Sequence, residues 1–301
     1  MKTTTITKVI TAKMYDWLYS VKDEDLRRDL KKGLLVSGGC IASMLLGEKV
    51  NDYDVYLSDM DLVKRCAEYY ANLYRDHVRV LDGREKDKLL QEYQMHASEE
   101  ENDGLHVSIR TLREDQIKML IVGGGGYATG ELATEENKYV PIYFSPNAIT
   151  LSNDIQIVLR FYGDHAKIHE TFDFVHATNY FTMKEGLVTN ALALECLLTR
   201  TLLYQGSMYP LTSVIRTKKF LKRDFKITAG EYLKMMFQIS QLDLTDLDTL
   251  EEQLIGVDSA YFSLLIRILR DATKKNPDVK FTSEYINKLI DKVFNGAGDE
   301  D

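Results

Sequence analysis

The chain has 301 residues, a length that favours two domains or one domain with a large insertion. Hydrophobic residues make up 45% and charged residues 28% of it, which is the balance of a globular chain that can bury a full core and excludes wholesale disorder. Because 38 basic residues face 46 acidic ones, the formal charge is −8, and any contact with nucleic acid needs a local basic patch.

Helices and strands alternate in the first part of the chain. The predictions rest on apolar spacing, on glycine-containing turns, and on Asp59, Asp61 and Asp164 as caps at helix starts. In chain order the expected elements are helix 23–32, strand 34–36, turn 37–39, helix 40–46, strand 53–57, helix 59–75, strand 77–81, helix 85–95, strands 105–112, 116–122, 140–144, 148–151 and 155–161, a short helix after Asp164, and strand 172–177. We interpret residues 83–145 as an insertion, in which a polar segment lies at the surface and four consecutive glycines open a mobile loop.

After Gly186 the apolar spacing is helical almost to the end of the chain. The expected helical segments are 190–205, 212–223, 229–240, 246–255, 258–273 and 281–294. The sequence therefore predicts an α+β fold with an N-terminal α/β domain at 1–185, a helical domain at 186–295 and an acidic tail at 296–301.

The cysteines and the hydropathy pattern predict the cellular compartment. Three widely spaced cysteines, an odd number, argue against a disulfide framework and a structural zinc cluster, and they favour a reducing cytoplasm. No apolar run approaches the roughly 18 residues of a membrane span, and residues 1–5 do not lead into the apolar part of a secretion signal. We expect a cytoplasmic protein without a membrane partner, and its oligomeric state is left open.

The most informative motif is Asp52-Tyr53-Asp54, at the start of the predicted strand 53–57. Side chains alternate across a strand, so the two acids project from one face while Tyr53 packs into the opposite layer. Neighbouring aspartates repel each other unless a cation neutralises them, and Mg²⁺ prefers such oxygen ligands. The pair predicts a site for phosphoryl transfer with two divalent ions about 4 Å apart. Alternatively, both acids are solvated on one face of a sheet.

A glycine pair precedes the acids, and twelve residues separate Gly39 from Asp52. The segment Ser37-Gly38-Gly39 follows a predicted strand and leads into a predicted helix. Glycine N–H groups can approach a triphosphate, the helix adds its positive N-terminal end, and Ser37 can add a hydroxyl donor. These three residues are therefore candidates for nucleotide binding. The alternative is an ordinary turn between a strand and a helix.

The combination of Gly38-Gly39 with Asp52-Tyr53-Asp54 resembles the signature of the DNA polymerase β-like nucleotidyltransferases, in particular the head domain of poly(A) polymerases and CCA-adding enzymes. The order of helices and strands around the motif agrees. The resemblance implies a polymerase-β-like domain that uses two Mg²⁺ ions to transfer a nucleoside monophosphate from an NTP, with RNA as the first candidate acceptor. Segments between residues 147 and 220 are also similar to uncharacterised nucleotidyltransferase-like proteins of tailed phages.

The resemblance also implies a third carboxylate, on a later and neighbouring strand, that completes the metal site. The matching residue is Asp173, inside the predicted strand 172–177. It lies 119 residues after Asp54, further than in compact members of the superfamily, so the intervening strands are interpreted as an insertion. The alternative for Asp173 is a structural role, with His176 or a lysine as its partner.

A second group of candidates is basic and lies on the predicted helix 212–223. Arg216, Lys219 and Arg223 share one helical face by their spacing and are predicted to bind triphosphate or nucleic-acid phosphate. The apolar residues expected to face the core instead are Val214, Leu221 and Phe225. The alternative is an ordinary solvated basic face.

Three further features are interpreted as structural. His165 and His169 have helical spacing, but the sequence between them lacks the glutamate of a zinc protease helix. Gly123 to Gly126 are not followed by the Lys-Ser or Lys-Thr pair of a phosphate-binding loop. Cys40 begins a helix, but no histidine partner for a nucleophilic thiol follows it.

The predicted function is that of a Mg²⁺-dependent nucleotidyltransferase. Asp52, Asp54 and Asp173 are the expected catalytic and metal-binding residues, and the acceptor hydroxyl belongs to an RNA 3′ end, a protein or a small molecule. The alternative function is that of a non-catalytic nucleotide- or RNA-binding protein of the same fold that acts in phage–host interaction.

Overall fold

The structure is a computed structural model that describes residues 1–96, 112–122, 126–135, 137–254, 260–276, 279 and 281–294. The chain divides into two compact units, Met1–Thr199 and Arg200–Asp301, here called the N-terminal and C-terminal units. The predicted domain boundary at residue 185 stays a prediction. Most of the predicted strand 105–112, three of the four glycines of the predicted loop and the predicted acidic tail lie outside the described residues.

The N-terminal unit contains helices and strands in mixed order, which confirms the predicted α+β class. Its helices are α1 (Thr3–Ser20), α2 (Glu24–Gly33), α3 (Gly39–Leu46), α4 (Met60–Ala71), α5 (Lys86–His96), α6 (His165–His169) and α7 (Ala191–Thr199). Its strands are β1 (Leu34–Ser37), β2 (Tyr53–Leu57), β3 (Val78–Asp82), β4 (Ile117–Ile121), β5 (Tyr127–Ala128), β6 (Pro141–Ser145), β7 (Ala148–Leu151), β8 (Ile155–Tyr162), β9 (Tyr180–Thr182) and β10 (Gly186–Val188).

Eight of these strands form one sheet in the order β10-β9-β1-β2-β8-β7-β6-β5, while β3 and β4 pair with each other. Within the large sheet β2 and β8 are parallel, and the other neighbouring strands are antiparallel. The parallel pair joins segments about a hundred residues apart, since Asp54 is in register with Gln156. The sheet therefore brings the predicted acid motif next to a strand from beyond the predicted insertion.

Helix α1 is a large part of the core, although the sequence analysis assigned no element to it. Ile6, Ile10, Met14 and Trp17 are spaced by three or four residues and are fully buried. The indole N–H of Trp17 donates a hydrogen bond of 2.8 Å to the hydroxyl of Tyr70 on α4. Helix α1 thus packs its apolar stripe into the cluster that also holds the inner face of the sheet.

Aspartates cap several helices of the N-terminal unit. Asp59 accepts a hydrogen bond from the N–H of Leu62 at 2.9 Å, and Asp164 accepts one from the N–H of Lys167 at 2.9 Å. Both were expected as caps, and each satisfies an N–H group that has no partner inside its helix. Of the two candidates for α4, Asp59 is the N-cap and Asp61 lies in the first turn.

The described part of the C-terminal unit is mostly helical, as predicted. The predicted helix 190–205 was too long, because the observed helix ends at Thr199 and residues 200–209 are not helical. Its helices are α8 (Pro210–Leu221), α9 (Ala229–Ile239), α10 (Leu247–Gln253), α11 (Ala260–Lys275) and α12 (Ser283–Phe294). Helices α11 and α12 contribute a small buried apolar cluster formed by Leu265, Leu269, Leu289 and Val293. A single parallel bridge between Thr201 and Lys226 ties the entry of this unit to the segment after α8.

Candidate functional site

The turn between β1 and α3 is made by Gly38 and Gly39. Gly38 has φ 90° and ψ −144°, a conformation that residues with a side chain rarely adopt. Its N–H donates to the carbonyl of Ala177 at 3.2 Å, so this donor is used inside the protein. Gly39 is exposed, and a Cβ placed on it would meet no atom within 4 Å. The open side of the turn is therefore Gly39 with the first N–H groups of α3, where the helix end is positive.

Asp54 lies against this turn. A Cβ placed on Gly38 would be 3.4 Å from Oδ2 of Asp54, so the missing side chain leaves room beside the carboxylate. Asp52 is exposed and Asp54 half-buried, while Tyr53 between them is buried in the core. Asp54 therefore lies on the face of β2 opposite to Tyr53. Asp52 precedes β2 and is close enough to the turn for its charge to act on Cys40. The two motifs that the sequence analysis linked form one surface.

The electrostatics of the Cys40 thiol also show that the acid pair lies close to the start of α3. Burial raises its pKa, and the charges of Asp54 and Asp52 raise it further. A thiol that stays protonated is a weak nucleophile, which agrees with the structural interpretation of Cys40.

Ser37 is fully buried, and its hydroxyl is used inside the protein. Ser37 Oγ donates to the carbonyl of Asn179 at 2.9 Å and lies 2.9 Å from Nε2 of His169. Because the hydroxyl proton points at a carbonyl, we assign the proton of the second contact to the His169 Nε2–H, which donates to Ser37. Burial, and to a lesser degree His165, lowers the pKa of His169 to about 4, so this ring is neutral near pH 7. In this structure the Ser37 hydroxyl stabilises the turn and is not directed at an open surface, in contrast to the expected role as a nucleotide donor.

The neighbours of Asp54 in the sheet are polar and uncharged. On one side β1 pairs Val36 with Val55, and one step further along this register Ser37 lies opposite Asp54. On the other side the parallel register places Gln156 of β8 beside Asp54. The Gln156 amide donates a long hydrogen bond of 3.5 Å to the hydroxyl of Thr150 on β7. Neither sheet neighbour of Asp54 is a third carboxylate.

The prediction that Asp173 lies on a strand at 172–177 is wrong. Asp173 occupies a bend after α6 and is 7% exposed, followed by a short 3₁₀ helix at Val175–Ala177. Within the described residues, no three histidine, cysteine, aspartate or glutamate side chains are grouped so that they could hold a metal ion. Asp52 and Asp54 thus lie together at the start of β2, and among the described residues they do not form a metal-binding group of three with Asp173.

The strand prediction failed because the aromatic residues around Asp173 make contacts of another kind. The ring of Phe172 packs 5.1 Å from the ring of His169 and 5.9 Å from the ring of Tyr56. The chain then turns so that the carbonyls of Ala177 and Asn179 accept hydrogen bonds from the Gly38 N–H and the Ser37 hydroxyl. The segment after α6 therefore stabilises the glycine turn through these two hydrogen bonds.

The predicted basic face of α8 is shorter than expected. Helix α8 ends at Leu221, and Arg223 lies in the turn that follows, with its guanidinium 5.9 Å from the ring centre of Phe225. Arg216 and Lys219 remain on the helix, so Arg223 does not share a helical face with them. Lys219 is exposed and Arg216 half-buried.

The prediction of which residues of α8 and the turn after it face the core was partly wrong. Phe225 is 3% exposed, as predicted, but Leu221 is 46% exposed and Val214 is half-buried. The buried side of the helix is instead polar, and Thr212 and Thr217 are among its most buried residues. Threonine hydroxyls can be buried on a helix because they donate to backbone carbonyls, as Thr217 does to Val214 at 2.6 Å.

Sequence reasoning missed Gln156 as a neighbour of the acids. The available signal was weak: Gln156 is a polar residue between Ile155 and Ile157, both fully buried, in a predicted strand. This alternation predicts that Gln156 faces away from the core, but the partner strand cannot be read from it.

No helix of the described residues is long and apolar enough to cross a membrane.

Solved structures that are similar to this chain include CCA-adding enzymes, the group named by the sequence resemblance. The Thermotoga maritima CCA-adding enzyme complexed with tRNA-CCA is 14% identical, with a TM-score of 0.37 over 92% of this chain and 58% of the enzyme. The Bacillus stearothermophilus CCA-adding enzyme in complex with CTP is 9% identical, with a TM-score of 0.34 over 83% of this chain and 50% of the enzyme. Scores of this size assign no site residue.

Sequence comparison points to phage proteins. A relative named Gabija anti-defense 2, from Bacillus phage SPbetaL7, is 22% identical over 152 residues, which are 48% of this chain and 38% of the relative. This match covers little more than a third of the length of that relative. A family model described as Gabija anti-defense 2 family protein matches residues 8–200, which include the glycine turn, the acid pair and the whole large sheet, and the chain therefore belongs to the Gabija anti-defense 2 family.

Proposed function

We propose that this protein counteracts Gabija defence as a Mg²⁺-dependent nucleotidyltransferase, with Asp52 and Asp54 at the reacting phosphate. The name of its family and of the phage relative supports the biological role. One structural observation carries the chemistry: the Asp54 carboxylate lies directly against the glycine turn, 3.4 Å from the position of a Cβ on Gly38. A phosphate chain bound at this turn meets the two carboxylates.

The chemistry of the donor set fits Mg²⁺. Two carboxylates on one strand face supply hard oxygen ligands, and Mg²⁺ is commonly held by one or two carboxylates together with substrate phosphates. Asp52 is exposed and Asp54 half-buried, so ligands from a nucleotide can reach both. Bound there, the ion would neutralise negative charge on the triphosphate during transfer. The proposed number of ions, one or two, depends on the other residues of the site.

The residues of the protein would have two roles in the reaction, binding the phosphates and accepting a proton. Gly39 and the N-terminal N–H groups of α3 would bind and orient the phosphates. In the transfer step the acceptor oxygen forms a bond to the α-phosphorus, the bond from this phosphorus to the α–β bridging oxygen breaks, and pyrophosphate leaves. Asp52 is the exposed member of the pair and would receive the proton of the acceptor hydroxyl.

Two acceptors fit the proposed reaction. An RNA 3′ end is the acceptor implied by the sequence resemblance, and a component of the host defence is the one suggested by the family name. A net charge of −8 gives the protein no general attraction for RNA. Arg216 and Lys219 on α8, with Arg223 after it, are retained as candidates for contact with an anionic ligand.

The full chain, incubated with each labelled NTP, Mg²⁺ and either total RNA or host protein, tests this function. We expect a labelled product, and Asp54→Asn should lower its formation by about 100-fold or more, because an isosteric change removes a metal-ligating charge. Asp76→Asn is the matched control, since it removes an exposed acid from the turn before β3. In a host that carries Gabija, the wild-type chain and the control should restore phage growth, and Asp54→Asn should not. Full activity of Asp52→Asn and Asp54→Asn in both assays would refute the assignment.

A second candidate is a non-catalytic nucleotide- or RNA-binding protein of the same fold. The observation that favours it is the uncharged pair of sheet neighbours around Asp54, Ser37 and Gln156. This function predicts binding of NTP or RNA and rescue of phage growth without any labelled product. The two candidates therefore differ in one measured quantity, the formation of product by the wild-type chain.

A further inference from the structure

We propose that Gln156 is a residue of the nucleotide site and that it limits the site to one divalent ion. The ion would be held by Asp52, Asp54 and the amide oxygen of Gln156, together with phosphate oxygens of the nucleotide. This inference rests on the proposed nucleotide site and specifies its metal content. It revises the expectation of two ions.

The sheet register places Gln156 where it can act. Asp54 of β2 and Gln156 of β8 are direct partners in a parallel pair, and neighbouring strands are about 4.8 Å apart. Both side chains lie on the same face, because Tyr53 and Val55 pair with Ile155 and Ile157, whose side chains are in the core on the opposite face. Gln156 is partly exposed, so a bound nucleotide can reach it.

The contact between Gln156 and Thr150 is compatible with one assignment of the Gln156 amide, in which the nitrogen faces the hydroxyl. The nitrogen donates to Thr150 Oγ1 at 3.5 Å, and Thr150 belongs to β7, on the far side of β8 from Asp54. With the nitrogen turned to β7, the oxygen is the amide atom turned away from β7. Amide oxygens are ligands for hard divalent ions, although they carry no charge.

The charge of the site separates one ion from two. Two divalent ions about 4 Å apart repel each other strongly, and sites that hold both surround them with carboxylates. Here the sheet offers the two charges of Asp52 and Asp54, while Ser37 and Gln156 on either side of Asp54 add none. Asp173 does not form a group with the acid pair that could hold an ion. The residues present therefore balance one divalent ion.

The test counts bound Mn²⁺ by electron paramagnetic resonance, with the full chain and each α,β-methylene nucleoside triphosphate in turn. We expect one Mn²⁺ per wild-type chain in the presence of the nucleotide that binds. Gln156→Glu adds a carboxylate of the same shape at this position and should raise the count to two. Thr150→Asp is the matched control: it adds the same charge one strand further from Asp54, about 10 Å away, and should leave the count at one.

Each result is decisive. A count of two for the wild type, or an unchanged count of one for a folded Gln156→Glu variant, overturns the inference while leaving the nucleotide site intact. No nucleotide-dependent Mn²⁺ in the wild type, with Asp54→Asn indistinguishable from it, means that the proposed function itself fails. If Gln156→Glu does not fold, Gln156→Ala decides: a single ion bound several-fold more weakly supports the inference, and unchanged affinity overturns it.

Discussion

The two units of this chain bury different kinds of side chains. The N-terminal unit has one large apolar cluster in which α1, α2, α3 and α4 cover a face of the sheet, and residues such as Trp17, Val55 and Ile157 are fully buried. Among the described residues, the C-terminal unit buries fewer apolar side chains, and a larger share of its interior consists of polar side chains. They include Thr212, Ser213, Thr217, Glu231 and Gln253.

The difference shows which interactions stabilise each unit. Close-packed apolar side chains fix the positions of β1, β2 and β8, and the candidate site is built where these three strands meet. A polar interior depends on individual hydrogen bonds, each of which is costly to lose when its partner stays buried. The family match at residues 8–200 coincides almost completely with the unit that carries the apolar core and the site.

The largest expected effect is on the apolar core. Trp17→Ala should lower the free energy of unfolding by about 3–5 kcal/mol, because it leaves a cavity and removes the donor to Tyr70. Urea denaturation followed by circular dichroism measures this, since Trp17 is the one tryptophan and fluorescence would be lost with it. Tyr19→Ala on the same helix, at a side chain that is 74% exposed, should change stability by at most about 0.5 kcal/mol. Equal losses for both variants would show that α1 is not part of the core.

A smaller effect is expected from the polar interior of the C-terminal unit. Glu231 accepts hydrogen bonds from the N–H of Tyr204 at 2.7 Å and from Nζ of Lys234 at 2.6 Å. Glu231→Ala leaves the buried Tyr204 N–H without this acceptor and should cost about 1–3 kcal/mol, while Glu231→Gln keeps an acceptor and should cost less. Hydrogen–deuterium exchange reads peptides of each unit separately, and only those of the C-terminal unit should exchange faster. Equal exchange in Glu231→Ala and the wild type would contradict the assignment.

The effect that is smallest at neutral pH is that of His169, which appears as a pH dependence of the N-terminal unit. His169 has a pKa of about 4 in the folded chain, below its ordinary value of 6.5, because it is buried against Ser37 and near His165. Between these values the unfolded chain binds more protons, so this contribution to stability is present above about pH 6.5 and is lost as the pH falls towards 4.

Thermal unfolding across this pH range measures the effect. His169→Gln should flatten the fall in melting temperature, whereas His77→Gln, at an exposed ring, should follow the wild type. Parallel curves for His169→Gln and the wild type would rule out a contribution from His169.

Local signals in the sequence were sufficient for many elements. Strand β2 has its predicted bounds, and the Asp164 cap starts α6 where expected, because alternation and capping depend on residues close together in the chain. Helix α1 was missed although its apolar spacing was visible. Three consecutive threonines at its start are each possible N-caps and mark no single start, and in the structure the N-cap is Lys2, which makes no side-chain hydrogen bond there.

Contacts between distant segments account for the remaining errors. The alternation of Phe172 and Phe174 is typical of a strand, but Phe172 packs against His169 and lies beside Gly38, a contact that no local pattern predicts. The resemblance to the nucleotidyltransferase signature links the acid pair to the glycine turn, and the structure places Asp54 beside Gly38. The neighbour of Asp54 across β8 follows from strand pairing alone, so Gln156 could not be assigned from the sequence.

The parallel pairing of β2 with β8 also has a consequence for synthesis of the protein. Asp54 and Gln156 are 102 residues apart in the chain, and the strands that carry them must close a long loop before they pair. During translation, β1, α3 and β2 leave the ribosome well before β8. The edge of β2 that pairs with β8 therefore stays without its partner strand until more than half of the protein has been made.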